Sequence, residues 1–364
     1  MPEGLSTCFA ITVDGRGIVC YGVFPERENE AERNANMFNQ LIVGLAERVV
    51  SQGQGALSYD DACRLARLPE EETLDLLACA HKITRGATSR ELILCSIVNA
   101  KSGFCTEDCG FCAQSSHHQT DIPRYDLEPE EVMVEAARER RKAGANHYSM
   151  VTSGLMLTET ELATVCRAAR RIVEETDLKV CSSVGTLTAE RARQLKKNGV
   201  TEYHHNLETA RSFFDRVCTT HAYDDDIETV QNAKAAGLRV CCGGILGLGE
   251  SWEQRVELAC TLRELDVDCI PLNFLNPIPG TRMGSRPLLP PMEALKCIAL
   301  FRFVNPEKNI LICGGREVTL GDFQSWIFYA GANGLLVGNY LTTQGRDIEA
   351  DREMIRDFGL AAAI

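Results

Sequence analysis

From residue 91 onward the chain alternates short β-branched runs with longer stretches whose apolar residues recur at helical spacing. Eight such runs stand out: Glu91–Val98, Asn146–Thr152, Leu178–Gly185, Glu202–Asn206, Leu238–Gly243, Asp268–Phe274, Ile310–Cys313 and Leu335–Gly338. Strand followed by helix, repeated, is the pattern of a parallel sheet with crossover helices, and eight such units close into a (β/α)8 barrel of the TIM type. The predicted fold is therefore α/β. Pro129–Ala143 illustrates the helices. Pro129 suits a first helical position, Val132, Val134, Ala136 and Ala137 form its apolar side, and Gly144 ends it.

Upstream, residues 59–86 read as helices, with Ser58 as a cap ahead of Tyr59-Asp60-Asp61. Residues 1–36 break the pattern. They carry a short predicted hairpin, Phe9–Val13 and Gly17–Val23 around Asp14-Gly15-Arg16, then the charged run Glu26–Arg33. The other reading of this stretch is an upstream start codon, with Met37 the true beginning. The expected organisation is an extension over 1–36, a helical segment over 37–90, the barrel over 91–345 and a helical tail over 346–364.

Composition narrows the function. With 364 residues, 45% hydrophobic and 24% charged, the chain is of the globular class. Its formal net charge of −13 argues against nucleic acid or an anionic membrane as partner, because phosphate binding needs clustered Lys and Arg. It has neither the basic start and apolar run of a signal peptide nor the roughly 18 apolar residues of a membrane span, so a cytoplasmic location is expected. Seventeen cysteines in such a chain are not a disulfide framework. Some are candidate metal ligands. Cys63, Cys79, Cys166, Cys260 and Cys297 fall in helical stretches and read as core, Cys8 and Cys20 lie in the extension, and Cys218 and Cys269 receive no reading.

The strongest chemical signal is the trio Cys105, Cys109 and Cys112 in the loop after the first predicted barrel strand. Three thiolates on a short irregular loop hold three corners of a four-iron cluster and leave one iron open. The alternative is a structural zinc completed by His117 or His118. The spacing, the barrel position and Phe111 before the third cysteine resemble the radical S-adenosylmethionine (SAM) enzymes. In that likeness Phe111 flanks the adenine and the open iron chelates SAM, whose reductive cleavage gives a 5′-deoxyadenosyl radical.

Longer stretches are similar to the biotin synthase family within that group, over roughly residues 45–360. They are Cys95 through Ser116, Val184-Gly185-Thr186-Leu187, His205-Asn206-Leu207-Glu208-Thr209, Cys242 through Glu250, and Gly314-Gly315-Arg316-Glu317. The resemblance implies sulfur insertion into dethiobiotin at C9 and then C6, with sulfur drawn from an auxiliary iron–sulfur cluster. It places Asn206 and Glu208 at the SAM ribose, Asn206 also at the substrate, and Asn273 on the ureido ring of dethiobiotin. Read unaided, Asn273 is equally a strand-end cap. Gly243 and Gly244 are expected to let backbone approach SAM. A low-potential reductant of the flavodoxin or ferredoxin type and a homodimer are further implications of the likeness.

The chain departs from the familiar family pattern at the auxiliary cluster. Cys181 and Cys241 match two of its cysteines, but Ser149 stands at the third and Leu311 at an arginine. Cys95 on the first strand lies where the familiar enzymes carry a serine near that arginine, and Cys313 shares the face of Leu311, so Cys95, Cys181, Cys241 and Cys313 are expected to line one interior, with Cys242 facing out. Four thiolates resemble the anaerobe branch of the family, whose auxiliary cluster has four irons and an extra sulfide. The other reading makes Cys95 and Cys313 packing residues around a depleted two-iron site. Asp226 stands where the family has an arginine facing the SAM carboxylate, so either Arg316 compensates or the local register differs. Two rival functions remain at this stage: another radical SAM enzyme of the subgroup, such as a hydrogenase maturase, and an iron–sulfur redox sensor.

Overall fold

The structure, a computed structural model, describes residues 11–14, 17–20, 38–88 and 92–360. It has two units, Met1–Gln40 and Leu41–Ile364. In the first, Ile11–Asp14 (β1) and Gly17–Cys20 (β2) pair antiparallel, with Asp14 opposite Gly17. These strands lie within the predicted hairpin. The outer ends of its predicted strands, Cys8, the run Glu26–Arg33 and Met37 fall outside the described residues.

In the second unit the strands are Ile93–Lys101 (β3), His147–Thr152 (β4), Lys179–Ser183 (β5), Glu202–His204 (β6), Arg239–Cys241 (β7), Gly244–Leu246 (β8), Cys269–Phe274 (β9), Asn309–Ile312 (β10) and Gly334–Leu336 (β11). All their pairings are parallel. β10 pairs with both β9 and β11, and β11 pairs with β3, so the sheet closes on itself. β7 and β8 both pair with β9 in one register, Cys241 opposite Cys269 and Gly244 opposite Leu272. They are one barrel strand whose ladder is interrupted at Cys242-Gly243. The closed ring is the (β/α)8 fold expected from the alternation, with strands in the predicted order.

The interruption explains the paired glycines. A Cβ on Gly243 would lie 2.0 Å from the Pro271 carbonyl oxygen, and one on Gly244 would lie 2.6 Å from that of Glu208. Their missing side chains make room for neighbouring backbone, and neither residue lines the cavity described below.

Helices Gln40–Gln52, Tyr59–Ala66 and Thr73–Ala87 precede the ring. Ser58 caps the second, exchanging hydrogen bonds with Asp61. Lys296, on the helix Pro291–Val304, donates to the Ala66 carbonyl at 2.8 Å and to that of Leu68, tying these helices to the barrel. In Glu130–Lys142, Pro129 is the cap rather than the first helical residue. The buried stripe is Met133, Val134 and Ala137, while Val132 is exposed. Positions i, i+1 and i+4 from Met133 share a face, and Val132 falls just off it. Near the C-terminus, Asp351 of Ile348–Asp357 accepts from Arg316 at 3.0 and 2.9 Å, and both residues are fully buried. Among the described residues no helix is long and apolar enough to cross a membrane.

Candidate active site

Cys105, Cys109 and Cys112 follow β3 on a loop held from several sides. Cys105 N–H donates to the Gln114 carbonyl at 3.2 Å, Ser116 N–H to the Cys105 carbonyl at 2.8 Å, and Gly110 N–H to the Val217 carbonyl at 2.8 Å. Gly103 at φ +76° and Phe104 at φ +53° turn the chain out of the strand into this loop. The three thiols are half-buried and open onto a cavity of about 430 Å³ inside the strand ends.

The sulfurs of this trio do not all lie within 4.8 Å of one another; among the described residues only Glu107, Cys218 and His221 form such a triple. A tetrahedral zinc holds its sulfurs about 3.8 Å apart, given Zn–S bonds of about 2.3 Å. The histidines proposed to complete a zinc site are engaged elsewhere: His117 Nε2 lies 3.0 Å from the Thr106 carbonyl and His118 Nδ1 lies 2.8 Å from that of Cys112. Three spaced thiols without a fourth ligand fit a four-iron cluster with one open iron.

The cavity wall beside this loop carries Phe111, Asn206, Glu208 and Asn273. Phe111 packs against a small apolar group that includes Phe213, Leu248 and Met283. Asn206 accepts from Gly243 N–H at 3.1 Å and donates to Glu208 Oε2 at 3.3 Å. Glu208 itself adopts φ +60°, a strained backbone that the tight joint with β8 imposes. Burial, helped by the nearby Asp226 charge, pushes its carboxyl up to about 8. Asn273 bridges Gly314 N–H at 2.9 Å and the Gly244 carbonyl at 3.3 Å, so its amide both braces two strand ends and faces the cavity.

Asp226 is nearly buried in the same wall, and its partners are histidines. His205 Nε2 lies 2.7 Å from Oδ1, and His221 Nε2 lies 3.5 Å from Oδ2. Burial pushes the Asp226 carboxyl up, but these two bonds outweigh it and hold the acid below its ordinary value. Of the two readings of this position, compensation by Arg316 is not supported: Arg316 is committed to Asp351 and does not line the cavity. Its side chain is drawn to the buried acid on the C-terminal helix instead.

Deeper in the cavity the inward positions of the strands bring thiols together. Cys95, Cys181, Cys241 and Cys313 all line it, as do Ser149 and Leu311, whereas Cys242 faces out into the core between barrel and helices. Burial, followed by repulsion from neighbouring thiolates, pushes the Cys95 and Cys181 thiols well up. Such thiols give up protons to a metal. The Ser149 hydroxyl is buried beside these thiols with no hydrogen bond of ordinary geometry. Thiol-rich, with no three of its sulfurs within 4.8 Å of one another, this donor set fits an iron–sulfur cluster as well.

Sequence reasoning passed over two cysteines here. Cys269 also lines the interior, opposite Cys241 in register. Strand parity carried the signal, since Cys269, Pro271 and Asn273 alternate on one face. Cys218 sits on an irregular loop, its Sγ 3.6 Å from Cys109 Sγ, where no periodicity announces it. Below the thiols, Glu202 is held by His147 at 3.6 Å and Arg239 at 3.2 Å.

Residues 100–262 match the radical SAM superfamily, and residues 271–361 match the biotin and thiamin synthesis associated domain. The biotin synthase of Syntrophus aciditrophicus is 60% identical over 312 residues, 86% of this chain and 96% of that protein. This chain belongs to the biotin synthase family. The biotin synthase of Geotalea uraniireducens is 52% identical, covering 88% of this chain and 98% of its own. Among solved structures, methylornithine synthase (PylB) superposes with a TM-score of 0.75 over 88% of this chain and 97% of its own, at 19% identity, which speaks to the fold alone. A biotin synthase is a radical SAM sulfurtransferase, so the chain is an enzyme with SAM and an iron–sulfur cluster as its working parts.

Proposed function

We propose that this biotin synthase inserts sulfur into dethiobiotin at C9 and then C6, with Cys105, Cys109 and Cys112 holding the SAM-binding four-iron cluster. One observation carries the reading: a single cavity joins the thiol trio at its mouth to Cys95, Cys181, Cys241 and Cys313 in its depth. A substrate lying between the two sets meets radical chemistry from one side and donor sulfur from the other. When bound, the first cluster supplies the electron that cleaves SAM, and the auxiliary cluster supplies the sulfur.

The chain's own residues then orient and enclose. Phe111 offers a face to adenine, Asn206 and Glu208 offer an amide and a carboxylate to ribose hydroxyls, and Asn206 with Asn273 reads the polar ring of dethiobiotin. The cavity wall keeps water from the radical, and the fixed strand ends keep the reacting atoms in line. Four cysteines on β3, β5, β7 and the end of β10 favour a four-iron auxiliary cluster over a two-iron one. Gly243 and Gly244 let backbone approach SAM and also seat the strand that presents Cys241. A flavodoxin- or ferredoxin-type reductant, a cytoplasmic location, a homodimer and the segment boundaries 36, 90 and 345 complete the reading.

Anaerobic reconstitution followed by iron quantitation and turnover with SAM and dethiobiotin tests it. About eight irons per chain, with biotin and 5′-deoxyadenosine formed together, is the expected result. About four irons removes the four-iron auxiliary cluster. Deoxyadenosine without biotin removes dethiobiotin as substrate.

A further inference from the structure

The loop Cys218-Thr219-Thr220-His221 folds back onto the start of the thiol loop. Thr219 N–H donates to Asp108 Oδ1 at 2.8 Å, and Thr220 Oγ1 donates to Glu107 Oε2 at 2.6 Å. The result is the triple noted above. Cys218 Sγ, His221 Nδ1 and a Glu107 oxygen all lie within 4.8 Å of one another, with Nδ1 at 3.3 Å from Sγ and 2.7 Å from Oε2. Glu107 and Cys218 are buried.

Three further features match a metal site. The donors are one sulfur, one imidazole nitrogen and one carboxylate oxygen, a set that suits zinc or ferrous iron and is wrong for magnesium or calcium. His221 turns Nδ1 toward the other two donors and its opposite nitrogen toward Asp226 at 3.5 Å. That is how a metal-bound histidine is oriented by a carboxylate behind it. Asp226 is itself fixed by His205 at 2.7 Å. Finally, an ion bonded at about 2.0–2.3 Å in tetrahedral geometry separates such donors by about 3.3–3.8 Å, so the two edges that meet at Nδ1 need to open by less than about 1 Å.

We propose that Glu107, Cys218 and His221 bind one thiophilic divalent cation of the zinc or ferrous class, beside the SAM-cluster loop and independent of its three thiols. Cys218 Sγ lies 3.6 Å from Cys109 Sγ, so an ion held there pins the 218–221 loop against the loop that must collect iron. None of its three ligands belongs to either thiol set, so iron content and this site are measured separately.

The test is zinc titration of anaerobic, cluster-loaded protein against a competing chelator dye, with iron content followed by elemental analysis. The expected result is one tight zinc site, weakened at least tenfold in Cys218→Ser and in His221→Gln. Asp226→Asn weakens it about ten- to hundredfold while leaving all three ligands in place. Equal zinc affinity in wild type and His221→Gln, or no stoichiometric site in the wild type, overturns the proposal. If Cys218→Ser loses iron, the His221→Gln comparison decides alone.

Discussion

His147 Nε2 faces Glu202 Oε1 at 3.6 Å across the barrel floor, and Arg239 Nε approaches the same oxygen at 3.2 Å. Burial pushes the Glu202 carboxyl up, yet the His147 bond and the Arg239 and Lys179 charges more than cancel it, and the carboxyl is held below its ordinary value of 4.5. The folded state therefore prefers the ionised acid more than the unfolded chain does. Its stabilising contribution is present above pH 4.5 and fades as pH falls through the folded value. Glu202→Gln is expected to cost about 1–3 kcal/mol at pH 7 and progressively less as pH falls below 4.5, read from denaturant unfolding of wild type and variant across that range.

Glu208 behaves in the opposite sense. Its folded carboxyl titrates at about 8 against an ordinary value of 4.5, so between these values the folded state holds a proton that unfolding releases. Stability is then lost as pH rises through that window. Glu208→Gln is expected to flatten the fall in melting temperature between pH 5 and 8; a slope identical to wild type contradicts a buried, proton-retaining Glu208.

Ser149 offers a prediction that changes sign with loading. Its buried hydroxyl has no hydrogen-bond partner from the protein, and an unpaired buried polar group costs about 1–3 kcal/mol. Ser149→Ala should stabilise the cluster-free protein by about 1 kcal/mol and leave the cluster-loaded protein no more stable than wild type. Melting curves of the two forms of each protein measure this directly.

Gly243→Ala tests the joint between β7 and β8. With the Pro271 carbonyl oxygen 2.0 Å from the added carbon, the strand must shift, and overpacking of this kind costs about 1–3 kcal/mol. Because Cys241 and Asn273 flank the joint, the variant is expected to lose auxiliary-site iron while keeping that of the Cys105 loop. Elemental analysis with electron paramagnetic resonance separates the two.

The barrel was readable in the chain because each strand and helix repeats a local rule. The thiol trio was readable because its members are close in sequence. Among the interior cysteines, Cys95, Cys181 and Cys241 came from the family resemblance and Cys313 from strand parity with Leu311, and the same parity applied to β9 locates Cys269. What sequence did not disclose was long-range side-chain choice. Asp226 sits in a position read as a clash with SAM, and only the fold reveals two histidines, one of them on an irregular loop, arriving as its partners. The alternative in which Arg316 compensates fails for the same reason, since its buried partner Asp351 is contributed by the last helix.

The ring closes through Leu335 beside Leu94, strands that lie at opposite ends of the barrel sequence. Closing so long a loop is slow on entropic grounds, and a chain emerging from its N-terminus cannot do it until almost all of it has been made. Until then β3, with Cys95 on it, is an open sheet edge. Iron placed early would meet thiols that have not yet found their neighbours, so synthesis order itself favours loading the interior site after the barrel has shut.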